Sequence, residues 1–326
     1  MASMRAEHPR KQAATMKALR IHSFGRPDVL QCEDMRKPQA GTCEILVQNE
    51  AAGVNPIDWK VREGYMKEVF EKKLPLILGV DVAGVVEAVG DSVSDFRQGD
   101  EVYAYLGSVN GGGYAQYVAA NSSFFSPKPV SVDFVEAAAL PLVSLVGWQT
   151  LFDTANLQPG QTVLIHGASG GVGHMAVQLA SWKGAKVVGT ASARNVDFVK
   201  SLGADEVIDY STMRFEDTVH DVDVVLDTQG GDTQQRSYQV LKKGGTLVST
   251  LGIQNPELAE KYGVRATGFQ AQPNGEELRI IARLVDEKKI RPEVTKVLPL
   301  KDAAQAQEMS KTGHMRGKIV LKVGDV

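Results

Sequence analysis

The sequence predicts an α/β fold in two parts, a mainly β first part followed by a doubly wound parallel sheet. Three observations carry that expectation. Up to about residue 129, short apolar runs alternate with turn residues. From residue 133 onward, strand-like runs alternate with helical ones. A glycine-rich turn, His166-Gly-Ala-Ser-Gly-Gly-Val-Gly173, joins the first of those later strands to the first of those helices. A chain of 326 residues is long enough to bury two full cores.

In the first part, 17–22, 44–48, 82–89 and 100–105 read as strands, separated by glycine, proline and aspartate at 25–28, 38–41, 53–58, 90–91 and 111–113. In the second, strands are expected at 162–167, 186–192, 206–210, 223–228 and 246–252. Val172, Ala176, Leu179 and Ala180 fall at helical spacing and give the first helix one apolar stripe to lay on a sheet. Alternation of this kind implies parallel strands covered on both faces. After residue 270 the pattern mixes: a helix over 275–289, then strands at 294–297 and 318–322 that can return to the first part, which would make the parallel sheet an insertion.

Composition sets limits on partners. Charged and apolar residues occur at ordinary globular levels and the net charge is −3, so neither nucleic acid nor an anionic membrane surface is an expected partner. The most apolar stretch, 137–146, is too short to span a bilayer and contains Pro141. Cys32 and Cys43 cannot build a disulfide framework and read as reduced thiols of a cytoplasmic protein. Residues 1–15 are polar, carry Arg5, Arg10 and Lys11, and have no apolar core. They read as a disordered tail, with a transit peptide as the alternative, and not as a secretory signal.

The glycine-rich turn carries the first chemical inference. Gly167, Gly170 and Gly173 allow a strand to turn sharply into a helix and let backbone approach a ligand closely, while N–H groups from Ser169 to Gly173, through Gly171 and Val172, face a phosphate. The reading is a dinucleotide pyrophosphate site, with a Gly-x-x-Gly-x-x-Gly spacing one residue longer than the usual form. An acid about 20 residues further on would hold a ribose 2′-OH. Here the second strand ends at Thr190-Ala-Ser192 with Arg194 beyond, so Ser192 is expected to bond a 2′-phosphate and Arg194 to neutralise it. NADPH is the expected cofactor; a solvated helix-start arginine is the plainer alternative for Arg194.

Several separated motifs then agree. Gly53-Val-Asn-Pro-Ile-Asp58, Arg62-Glu-Gly-Tyr65, Leu78-Gly-Val-Asp-Val-Ala-Gly84, Gly99-Asp-Glu-Val102 and Gly112-Gly-Tyr-Ala-Gln-Tyr-Val118 come before the glycine turn. Leu202-Gly-Ala-Asp-Glu-Val-Ile-Asp-Tyr210 and Gly317-Lys-Ile-Val-Leu321 follow it. In this order they resemble the medium-chain dehydrogenase/reductase superfamily, and specifically its zinc-free quinone oxidoreductase (zeta-crystallin-like) branch. The resemblance implies a GroES-like substrate domain from 16–129 and 270–326, a Rossmann domain over 130–269, and a homodimer or homotetramer often paired through the Rossmann sheet edge.

It also implies roles. Zinc-dependent relatives place Cys, His and Glu in the slots of Asn55, Val80 and Asp81, and a structural-zinc lobe needs four clustered cysteines; no metal is expected here. Without a Lewis acid, hydride addition to an activated acceptor is easier than alcohol oxidation. Asn55 is the first candidate for the site, its amide donating to a carbonyl oxygen or holding the cofactor, unless Asn55-Pro56 merely starts a turn. Tyr65 is the candidate proton donor, or else an aromatic covering the cleft. Tyr210 packs near the 2′-phosphate in relatives, Leu251, Gly252 and Ile253 pass along the nicotinamide, and Lys318 meets the cofactor or is a plain strand-start lysine. Val146 stands where relatives have a threonine, a contact that Ser144 is expected to supply if it is not lost. Asp58, Asp81 and His166 are expected to be structural.

The function implied is an NADPH-dependent reductase of a quinone or an α,β-unsaturated carbonyl. The alternatives are an enoyl-thioester reductase and an NADPH-binding protein with a structural or RNA-interacting role. Substrate-setting loops are expected near 55–75, 106–113 and 253–273.

Overall fold

The computed structural model describes residues 14–324; the expected tail is outside them except for its last two residues. Strands β1 (Thr15–Ile21), β2 (Gln31–Arg36), β3 (Glu44–Val54), β4 (Leu76–Ile77), β5 (Asp81–Val89), β6 (Glu101–Tyr105), β7 (Tyr117–Asn121) and β8 (Phe125–Pro127) make up the first part. They form an antiparallel sheet β2-β1-β4 and most of a larger sheet centred on β3. The sequence shows β3 only as far as Gln48, but the strand runs on to Val54 because it has partners along its whole length: β7 early, β5 throughout and a C-terminal strand late. Ala51, Ala52, Gly53 and Val54 are small or branched residues that fit this doubly covered position.

The second part holds β9 (Thr162–Ile165), β10 (Lys186–Ala191), β11 (Glu206–Asp209), β12 (Val222–Asp227), β13 (Leu241–Ser249) and β14 (Arg265–Gly268), all parallel in the order β11-β10-β9-β12-β13-β14. This is the Rossmann order, and the first part is GroES-like, so the chain has the α/β class expected. Strand β14 carries too little apolar periodicity to be seen in sequence; it lies at the sheet edge with no buried residue. The helix Gly171–Trp182 buries every residue from Gly173 to Ala180, not a single stripe, because it lies between the sheet and the helix Pro141–Trp148. Gly147 makes that close approach possible: a Cβ there would meet Leu179 Cδ1 at 3.1 Å.

The chain then runs through the helix Gly275–Asp286, three residues shorter than expected, whose start is capped by Asn274 Oδ1 accepting from the N–H groups of Glu276 and Glu277. Strands β15 (Val294–Pro299) and β16 (Lys318–Lys322) pair in parallel, and β16 runs antiparallel to β3 with Ile319 opposite Val54 and Leu321 opposite Ala52. One hydrophobic cluster takes residues from both sheets, including Val80, Tyr103, Val143, Ile165 and Val320. No helix among the described residues is long and apolar enough to cross a membrane.

Candidate active site

Strand order reverses around β9, and in open parallel sheets the crevice at the carboxyl ends beside such a reversal is where ligands bind. The turn leaving β9 sits there. Gly167 has φ +64°, and a Cβ on Gly173 would lie 2.1 Å from the Gly167 carbonyl oxygen, so the turn closes on itself only with glycine. The amides of Gly171, Val172 and Gly173 open the following helix and have no acceptor within it, at the positive end of the helix dipole. These features fit a pyrophosphate.

At the end of β10, Asn195 does work that sequence reading missed. Its Nδ2 donates to Ser169 Oγ at 3.1 Å and to Ser192 Oγ at 3.3 Å, tying the glycine turn to the next strand end. Nothing but its place before a helix marks it in the sequence. Tyr210 N–H donates to Ala191 O at 3.2 Å, which puts Tyr210, Ser192 and Arg194 at adjoining strand ends. Tyr210 is 57% exposed, and the Arg194 guanidinium is exposed with one bond, to His314 O at 2.9 Å. Asp209, at the end of β11, is occupied by the N–H and O–H of Ser211, whose bonds hold its carboxyl below the usual range. Leu251, Gly252 and Ile253 follow β13 into a loop anchored by Gln234, whose Nε2 donates to Asp227 Oδ2 and Gly252 O, both at 2.8 Å. Leu251 is 42% exposed.

A buried polar cluster adjoins this crevice. Asn55 is extended and Pro56 follows it at the first helical position, so the helix Pro56–Arg62 starts there; Asp58 Oδ2 accepts from the Asn55 N–H at 2.8 Å. Asp81 opens β5, where Oδ2 accepts from Asn55 Nδ2 at 2.8 Å and Oδ1 accepts from the Leu142 N–H at 2.9 Å. Lys318 opens β16 and donates from Nζ to Val54 O at 2.8 Å and to Asn55 Oδ1, with Asp81 Oδ2 at 3.7 Å. Gly317 N–H donates to Ser169 O at 2.9 Å, and a Cβ on Gly171 would lie 3.3 Å from Lys318 Cδ. The lysine stem and the glycine turn therefore share a wall.

Burial dominates the electrostatics. It pushes Asp58 up to about 7 against the bonds from Asn55 and from Tyr114, whose hydroxyl donates to Asp58 Oδ2 at 2.8 Å. It raises Asp81 against the Lys318 ammonium, and it lowers Lys318 against Asp81 and Asp58.

The expected site residues do not all converge. The Asn55 side chain is buried and both ends of its amide are occupied, by Asp81 and by Lys318, so it faces into the cluster and not outward. Tyr65 is 69% exposed and stacks edge-on against Trp59 with ring centroids 5.7 Å apart. Ser144 is buried and its hydroxyl donates to Pro141 O, so it does not offer the contact expected of it. His166 is buried between Thr190 Oγ1 and Ser237 Oγ, and His174 donates from Nδ1 to Gly170 O while Nε2 accepts from the Glu293 N–H. Asp58 was expected only to be structural; its cap to Asn55 and its burial come from the fold. As a zinc site the cluster does not fit: a carboxamide, the Val80 side chain and one carboxylate beside an ammonium are not a zinc donor set.

Comparison with known proteins agrees with this architecture. The Alcohol dehydrogenase GroES-like domain profile matches residues 41–130 and the Zinc-binding dehydrogenase profile matches residues 202–321. A quinone-oxidoreductase homolog of Spinacia oleracea chloroplasts is 33% identical, covering 95% of this chain and 99% of its own. The NADPH-dependent alkenal/one oxidoreductase of Arabidopsis thaliana chloroplasts is 34% identical, covering 94% of this chain and 79% of its own. The solved quinone oxidoreductase of Coxiella burnetii superposes with a TM-score of 0.90 at 38% identity, covering 95% of this chain and 100% of that one. The chain belongs to the medium-chain dehydrogenase/reductase superfamily and is an oxidoreductase. Within that superfamily it falls in the quinone oxidoreductase-like branch.

Proposed function

We propose that the protein is a zinc-independent, NADPH-dependent reductase that transfers hydride to a quinone or an α,β-unsaturated carbonyl. The observation that carries the reading is the buried Asn55–Asp81–Lys318 cluster against the glycine turn, where a fixed ammonium lies between an amide and a carboxylate. NADPH would supply the hydride. Gly167, Ser169, Gly170, Gly171, Val172 and Gly173 hold the pyrophosphate, Ser192, Arg194 and Tyr210 the 2′-phosphate, and Leu251, Gly252 and Ile253 the nicotinamide side. Lys318 sets the positive potential beside the cofactor, and Asn55 and Asp81 orient it. Asn55 acts through Lys318 in this reading, and Tyr65 is the proton donor.

The same proposal divides the chain into a substrate unit of 16–129 and 270–326 and a cofactor unit of 130–269. It takes the protein as a cytoplasmic homodimer or homotetramer. The names of the Spinacia and Arabidopsis relatives support the acceptor class.

The test is NADPH oxidation at 340 nm against 1,4-benzoquinone, 9,10-phenanthrenequinone, acrolein, methyl vinyl ketone and crotonyl-CoA, repeated with NADH and with EDTA. Turnover of a quinone or enone that prefers NADPH and ignores EDTA supports the reading. Turnover of crotonyl-CoA alone, or loss of activity with EDTA, overturns it.

A further inference from the structure

Two segments from outside the parallel sheet meet the glycine turn and its helix. One is the connector 291–293, which leads into β15; the other is Gly317-Lys318, where β16 opens. Side chains on one face of the helix Gly171–Trp182 hold the connector. His174 donates from Nδ1 to Gly170 O at 3.0 Å and accepts at Nε2 from the Glu293 N–H at 3.3 Å. One helical turn further on, Gln178 donates from Nε2 to Arg291 O at 3.0 Å, and its Oε1 accepts from the Arg291 N–H at 2.9 Å. Glu293 O in turn accepts from the Lys318 N–H at 2.8 Å, while the Gly317 N–H donates to Ser169 O. Gly317 has φ +58°, and a Cβ there would lie 2.2 Å from Glu293 O, so this contact closes only with glycine.

We propose that His174 is a positioning residue for Lys318. One ring nitrogen holds the pyrophosphate turn at Gly170, and the other, through Glu293, holds the backbone that carries the ammonium. That the ammonium then assists hydride transfer rests on the reductase reading above; the link itself does not.

The ring is suited to this task. Gly170 O can only accept and the Glu293 N–H can only donate, which fixes the hydrogen on Nδ1 and the lone pair on Nε2. Burial lowers His174 to about 4, so the same neutral tautomer is kept at neutral pH. A fully buried imidazole is costly unless both nitrogens are bonded, and here the two bonds go to the two segments that build the site. Gln178 grips the connector at Arg291 whatever stands at 174, so a change at His174 leaves the connector on the helix and frees it only at Glu293.

The test uses two isosteres in the full-length protein. His174→Asn carries an amide nitrogen where Nδ1 stands and nothing where Nε2 stands. His174→Gln carries a carbonyl oxygen where Nε2 stands and no donor where Nδ1 stands. In His174→Asn the Glu293 amide is expected to exchange with deuterium about fivefold faster and kcat to fall about fivefold, with the Kd for NADPH within about twofold of the parent. In His174→Gln the Glu293 amide and kcat are expected to match the parent, and the Kd for NADPH, from fluorescence titration, to rise about fivefold. Gly317→Ala presses on Glu293 O from the other side and should lower kcat at least as much as His174→Asn. Equal effects of the two isosteres on Kd and kcat, unchanged Glu293 exchange in His174→Asn, or an unchanged kcat in Gly317→Ala overturns the proposal. The split in exchange and Kd without turnover by the parent protein upholds the link and sinks the reductase reading; turnover without the split does the reverse.

Discussion

Lys318 shows how much one side chain can decide. It is the only amine among the described residues in the Asn55–Asp81 cluster, and its removal leaves the Asp81 carboxylate and the Asn55 carbonyl facing each other without a cation. Breaking a buried pair by deleting one partner costs about 3–5 kcal/mol. Lys318→Met is therefore expected to lower unfolding stability by that amount in urea denaturation, whereas an ordinary exposed strand-start lysine would show a change near zero. Arg194 is the opposite case. It is exposed and makes one bond to a backbone carbonyl, so Arg194→Ala should leave stability unchanged. If it meets a 2′-phosphate, the loss of a charged hydrogen bond of about 1.5 kcal/mol weakens NADPH about tenfold and NADH not at all. Fluorescence titration with both cofactors reads the difference. Asn55 could be picked out in the sequence, but its bonds to Asp81 and Lys318 could not. Composition places an amide there, but which way it points depends on Asp81 and Lys318, which come from strands that are distant in the chain.

At the scale of elements, the glycine turn and its helix form one unit. Gly173 has no room for a methyl group because the Gly167 carbonyl is already against it. Gly173→Ala must push the turn apart and is expected to abolish the thermal shift produced by NADPH and to lower Tm. Gly231→Ala is the control, since that position has positive φ (+55°) but nothing within 4 Å of a Cβ; it should cost about 1 kcal/mol and leave nucleotide binding intact. This unit was readable in advance because everything it needs is local: a strand, three spaced glycines, a helix. The strands β2, β4, β7, β8 and β14 were not seen, because they are short or largely solvent-facing, and their pairing comes from neighbours and not from their own pattern. The helical stripe was read as single-sided for the same reason. The helix Pro141–Trp148 covers the other side, and nothing in the stripe itself announces that.

Over the whole molecule, buried groups pull the response to pH in opposite directions, His166 and His174 one way and Asp58 and Asp81 the other. Burial lowers His166 and His174 to about 4, so on acidification from 6.5 to 4 the unfolded chain takes up two protons that the folded chain refuses. Stability therefore falls over that interval, by about 3 kcal/mol for each histidine. Asp58 works in the other direction. Raised from 3.8 to about 7, it binds a proton in the folded state that the unfolded chain has lost, so stability falls as pH rises through 4 to 7. Replacing Asp58 by Asn removes its opposing share, so the change in stability from pH 4 to 6.5, read from urea midpoints, should be more positive in Asp58→Asn than in the parent protein by about 3 kcal/mol. An unaltered slope in that variant would mean that Asp58 titrates as a solvated acid. These terms lay beyond sequence reading, which had Asp58 and His166 as structural and no means of seeing how deeply they or His174 are buried.

The return of β16 to β3 has a consequence for the order of events during synthesis. Asn55 and Asp81 leave the ribosome early, and the glycine turn at mid-length, yet the cation that joins them is on the last strand of the fold. Chains fold from the N-terminus as they emerge. The parallel sheet can be complete while the edge of β3 at Gly53 and Val54 still waits for its partner and two buried acids wait for their lysine. A nascent chain stalled anywhere before residue 318 therefore carries an open strand edge at β3 and a site still without its cation.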